Sequence, residues 1–86
     1  MHSKKMIENI IRDAVKNVTG IIELKKDDSL IDKELKIIPA DFIYIFDILR
    51  ERLQLPVHDI FVKHTFEVMT IENMTDALFE LKSEII

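Results

Sequence analysis

The sequence contains no cysteine, so neither a disulfide nor a thiolate-bound metal supports its fold. It has one glycine and two prolines, which leaves little material for β-turns and argues against a β-rich architecture. No apolar run approaches the roughly 20 residues that a bilayer-spanning helix needs, so no membrane segment is expected. A glycine-rich phosphate loop, a G-x-S-x-G nucleophile turn and a Cys–His pairing are all missing, and a catalytic role is not expected. The opening Met-His-Ser-Lys-Lys leads into an amphipathic pattern rather than an apolar signal-peptide core, and the chain reads as cytoplasmic.

What is present favours helices. Of the 86 residues, 48% are hydrophobic, enough for one core in one domain spanning 1–86, provided most elements contribute to it. The net charge of −4 is unevenly distributed. Residues 1–26 carry six Lys/Arg against three Asp/Glu, whereas residues 27–86 carry six against thirteen. The larger part is therefore acidic, which disfavours nucleic acid and suits a basic protein partner.

Ile7, Ile10, Ile11, Ala14, Val15 and Val18 recur at helical spacing. With Ser3 as N-cap and Gly20 as stop they predict a helix over 4–19. Residues 21–38 form a long connection, expected to be anchored by Ile22, Leu24, Leu30, Ile31 and Leu35. A helical turn is expected near 29–35, capped by Asp28 or Ser29.

Pro39 then opens a second helix running to about Leu53, with Asp41 at the positive end of its dipole. Pro56 prevents its continuation. This helix is apolar on more than one side, through Phe42, Ile43, Tyr44, Ile45, Phe46, Ile48 and Leu49, a pattern that suits a helix presenting a face to a partner. Val57–Lys63 predicts a short third helix. Thr70 caps the last, whose inward stripe is Ile71, Met74, Ala77, Leu78 and Leu81.

In their order and spacing these segments resemble the acyl carrier protein family over nearly the whole chain. Asp28-Ser29-Leu30 and Glu34-Leu35-Lys36 resemble parts of D-x-S-L-x-E-L-G-x-D-S-L in the family's first loop, with Lys36 at the glycine. Leu49-Arg50-Glu51-Arg52-Leu53-Gln54-Leu55-Pro56-Val57 is similar to L-E-E-x-F-G-I-x-I-P, which closes its second helix. Met69-Thr70-Ile71 is similar to the opening of its last helix. The resemblance implies an all-α, four-helix bundle with a long first loop and a short third helix. Counted back from Leu53, the serine that carries 4'-phosphopantetheine in the family falls on Pro39, which has no hydroxyl to esterify. A serine-less variant of this kind resembles acyl-carrier-related proteins of bacteriocin-type peptide maturation systems.

The same resemblance implies a docking role for the second helix, toward a biosynthetic or maturation enzyme with a basic surface. Asp41, Phe42, Tyr44, Phe46, Asp47 and Glu51 are the candidate partner-binding residues. In the same register Ala40, Ile43, Leu49 and Leu53 face the core, while Phe42, Tyr44, Phe46 and Asp47 lie toward solvent. Alternatively, some of these rings fold under the long loop onto Ile37 and Ile38. A monomer is expected rather than a dimer, with no cofactor and no metal. A competing register makes Asp28-Ser29-Leu30 the D-S-L and Ser29 the phosphopantetheine carrier of a genuine acyl carrier. It starts the second helix near Leu30 and puts Pro39 inside it, at a cost of about 3 kcal/mol. His2, His58 and His64 have no metal-ligand spacing.

Overall fold

The computed structural model describes residues 3–85, so His2 lies outside the described residues. Helix α1 (Lys4–Thr19) has the bounds that its caps dictate. The Ser3 hydroxyl accepts from the Met6 N–H at 3.2 Å. At the other end Gly20 takes φ 80° and donates its N–H to the Lys16 carbonyl at 2.8 Å. Ile7, Ile10, Ile11, Ala14 and Val15 form its buried stripe.

The connection after α1 is held by two buried side chains, by the partly buried Ile21, Ile37 and the expected anchor Leu35, and by several backbone hydrogen bonds. Leu24 and Leu30 are buried in the core, whereas Ile22 and Ile31, expected as anchors, are exposed. The Arg12 guanidinium donates to the Leu24 carbonyl at 2.6 Å. Further on, the Leu30 N–H donates to the Met69 carbonyl at 2.8 Å, and the Glu72 N–H donates to the Lys26 carbonyl at 3.0 Å. A single antiparallel bridge pairs Ser29 with Thr70. The helical turn expected near 29–35 is a 3₁₀ turn at Lys33–Leu35, capped by Asp32 rather than by Asp28 or Ser29. The Asp28 carboxylate is used elsewhere, accepting from the Lys25 N–H.

Helix α2 (Pro39–Leu53) starts at proline, as expected, and buries Ile45, Phe46, Leu49 and Leu53. A 3₁₀ turn at Val57–Asp59 leads into the four-residue α3 (Ile60–Lys63), and another at Phe66–Val68 precedes α4 (Ile71–Ile85). The Thr70 hydroxyl caps α4 by accepting from the Asn73 N–H at 3.0 Å. Ile71, Met74, Ala77 and Leu78 are buried and Leu81 is partly so, in agreement with the expected stripe.

Helix α1 packs against both α2 and α4, while α3 rests on α4. Ile7, Ile11, Leu30, Ile45, Leu49, Ile71, Met74 and Leu78 close the centre with almost no exposed area. The architecture is all-α: four helices with a long first connection and a short third helix among the described residues. No helix among them is long and apolar enough to cross a membrane.

Candidate docking surface

The α2 N-terminus is built from Ile38, Pro39 and Asp41. Ile38 is extended, at φ −91° and ψ 160°, and Pro39 occupies the first helical position, where its missing N–H leaves no bond unmade. The Asp41 carboxylate accepts from the Ile38 N–H at 3.3 Å. Asp41 is thereby engaged in closing the helix end and is only half-exposed.

Helical spacing then sorts the apolar residues of α2. The buried line runs Phe42, Ile45, Phe46, Leu49, Leu53, with Phe42 half-buried. The exposed line runs Ala40, Ile43, Tyr44, Asp47, Glu51, in steps of three and four. Four expectations are corrected. Phe42, placed toward solvent and among the partner-binding residues, is half-buried and packs against the core. Phe46, placed toward solvent and among the partner-binding residues, is a core residue with 8% exposure. Ile43 and Ala40, placed in the core, are exposed, Ile43 at 63%. The physical reason is that Phe46 lies one turn before Leu49 and two before Leu53, on their side of the helix. Asp47 and Glu51 mark the solvent line, and stepping back from Asp47 by three, four and seven leads to Tyr44, Ile43 and Ala40. That signal was available in the sequence.

Tyr44, at 63% exposure, Asp47 and Glu51 do lie on the exposed line. The basic residues of α2 are turned to partners of their own. Arg52 reaches α1 and donates to Asp13 at 2.6 Å, and Arg50 pairs with Asp47 at 3.5 Å. The outer face of α2 is therefore two large apolar side chains, Ile43 and Tyr44, followed by a charged C-terminal half. Phe42 stacks on Phe46 at 6.2 Å between ring centroids, and Phe46 meets His58 and Phe61 edge-on. The rings pack toward the 57–63 segment; of the two residues on which they had the alternative of folding, Ile38 is exposed and Ile37 is partly buried against the core.

Ser29 lies in the loop opposite Thr70, half-buried, beside Asp28, Asp32 and Glu34. It does not begin a helix; the helix begins ten positions later, at Pro39. His58 packs on Phe46, and the His64 N–H donates to the Ile60 carbonyl at the end of α3. Among the described residues no group of three or more His, Asp or Glu side chains has the arrangement to hold a metal ion.

Comparison with protein-family models, with curated proteins and with solved structures returns no match.

Proposed function

We propose that the protein is a non-catalytic, carrier-like module that docks a protein partner through the outer face of α2 and carries no thioester. The observation that carries this reading is the exposed pair Ile43 and Tyr44, each at 63%, followed by Asp47 and Glu51 on the same line. An exposed aromatic and a branched aliphatic side chain bordered by acids form an interface anchor with a polar rim. With Arg52 turned to Asp13 and Arg50 paired to Asp47, Asp41 and Glu51 leave the face acidic, which suits a basic partner surface.

Two backbone features support the carrier-like register. Among the described residues, Lys36 (φ 58°) and Gln54 (φ 55°) are the non-glycine residues with positive φ. Both stand where the resembled segments carry glycine: Lys36 in E-L-G, and Gln54 after Leu53 in the F-G of the helix-closing segment. Left-handed backbone at both positions is what glycine in the family's sequence would serve. In that register the attachment position is Pro39. The setting we propose, peptide natural-product maturation, rests on the resemblance, and the partner is a biosynthetic or maturation enzyme.

Two measurements test this. Incubation with coenzyme A and a broad phosphopantetheinyl transferase leaves the intact mass unchanged; a gain that Ser29→Ala abolishes overturns the reading and favours a genuine carrier. Second, a candidate maturation enzyme with a basic docking surface is expected to bind the protein, and the double variant Ile43→Asp, Tyr44→Lys to bind it about tenfold more weakly or worse. Equal binding by both forms removes α2 as the docking face.

A further inference from the structure

Residues 59–68 and the side of α4 that faces them leave two adjoining grooves. One lies over Ile60, Val62 and Leu81, between Asp59 and Glu84. The other lies over Val68 and Ala77, bordered by Glu67, Asp76 and Glu80. They meet at His64, which lines both, and at Lys63, which pairs with Glu80 on one side and Glu84 on the other. From Asn73 to Glu84 the combined track follows three turns of α4, on the order of 16 Å.

The floor of this track is apolar, and its walls hold five carboxylates against the single lysine, Lys63. Lys4 reaches Asp76 from α1 at 3.2 Å, and the Thr65 hydroxyl donates to Glu67, holding its carboxyl below the usual range. Val62 is 82% exposed on α3 and Phe66 78% exposed on the turn that follows. Two apolar side chains held in water within five residues contribute nothing to the core, and an apolar patch rimmed by charge marks a contact surface.

The charge narrows the occupant. An anionic lipid surface would meet the carboxylates with its own negative headgroups. A second copy docking through the same face would bring a second acidic wall. A cationic segment meets neither obstacle. The Lys63 pairs with Glu80 and Glu84 are solvent-exposed and weak, so an incoming lysine or arginine replaces them at little cost.

We propose that the α3–α4 track is a second docking site, which takes a basic amphipathic segment of a partner protein. Its apolar side chains lie on the floor and against Val62, and its Lys/Arg side chains meet Asp59, Glu67, Asp76, Glu80 and Glu84. The track shares no residue with the outer face of α2, so this inference and the proposed function fail independently.

The test is a titration of isotope-labelled protein with a peptide of about 14 leucines and lysines spaced for an amphipathic helix, long enough to cover the track. A peptide with glutamate for lysine is the control. Amide shifts are expected to concentrate at Val62, His64, Ala77 and Leu81 with the lysine peptide and to be absent with the glutamate one. Val62→Asn and Glu80→Lys, both at exposed positions, should each weaken binding about fivefold or more, and Tyr44→Lys should leave it unchanged. Shifts scattered over acidic residues of the whole surface, or binding indifferent to both groove variants, overturn the proposal. So does a groove signal that moves with protein concentration alone, which would mark a contact between copies.

Discussion

The ring of Phe46 stands edge-on to that of Phe61, with centroids 5.5 Å apart and planes at 68°. This contact fastens α2 to α3 and explains why an aromatic residue in the most apolar helix is not available to a partner. Phe42 stacks on the other side of Phe46, at 28° between planes, so three rings form a continuous seam. Aromatic pairs in such geometries contribute beyond their buried area. The docking capacity of α2 therefore resides in Ile43 and Tyr44 instead.

Phe46→Ala is expected to destabilise the protein by about 3 kcal/mol or more, the usual cost of truncating a buried phenylalanine. Tyr44→Ala should stay within about 0.5 kcal/mol of the original, as exposed substitutions do. Urea unfolding of the two variants side by side checks both. Similar losses for the two would contradict the division of α2 into a buried and an exposed line.

The Arg12 guanidinium joins α1 to the first connection, donating to Glu8 Oε2 at 3.0 Å and to the Leu24 carbonyl at 2.6 Å. The hydrogen bond from Arg12 is the main reason the Glu8 carboxyl is held below its usual range, with burial opposing it and Lys5 and Lys26 assisting. A carboxyl with a depressed folded pKa contributes stability that is present above its unfolded pKa and is lost as pH falls through the folded one. Stability should therefore fall in acid, below the ordinary carboxylate range, and less steeply in Glu8→Gln. Arg12→Met should cost about 1–2 kcal/mol at neutral pH, since the hydrogen bond to the Leu24 carbonyl is lost with it. Denaturant midpoints at several pH values separate the two effects.

Where local signals agree, the sequence and the structure agree. Helix α1 has Ser3, one apolar stripe and Gly20, and its bounds are those expected. Thr70 and the stripe from Ile71 to Leu81 do the same for α4. The connection was harder to read because no periodicity chooses among its apolar residues. Leu24 and Leu30 are buried and Ile22 and Ile31 are not, a choice made by hydrogen bonds to the Met69 carbonyl and from the Glu72 N–H across the gap. On α2 the apolar residues outnumber what one face holds, so composition alone did not separate Ile43 from Phe46. The candidate track between α3 and α4 was legible only as scattered acids, since it is assembled from four elements that tertiary packing brings together.

Leu30 fastens the long connection to the far end of the chain, with its side chain fully buried and its N–H on the Met69 carbonyl. Its amide and that of Glu72 should exchange slowly with solvent, near the rate of the α1 core, while those of Asp27 and Lys33 exchange fast. Leu30→Ala should cost about 2–5 kcal/mol and release both slow amides together. Slow exchange at Glu72 alone in that variant would show that Lys26 is held independently of the Leu30 plug.

Lys36 follows the 3₁₀ turn at φ 58°, where its N–H donates to the Lys33 carbonyl at 3.1 Å. A side chain in the left-handed region costs about 1–2 kcal/mol, whereas glycine adopts it freely. Glycine in turn raises the entropy of the unfolded chain by about 0.5–1 kcal/mol, which offsets part of the gain. Lys36→Gly should therefore stabilise the protein by about 0.5 kcal/mol and raise Tm by a few degrees, on the order of 2–4 °C for a domain of this size. Gln54→Gly, at φ 55° past the end of α2, should behave alike, because its N–H likewise donates to an upstream carbonyl, that of Arg50. The two positions are far apart in sequence and share no contact in the helix ends they close, so the double variant should add. A loss of stability at either position would mean that the side chain, and not the backbone, decides the turn. That outcome would also withdraw the support that these two residues give to a register in which both stand for glycine.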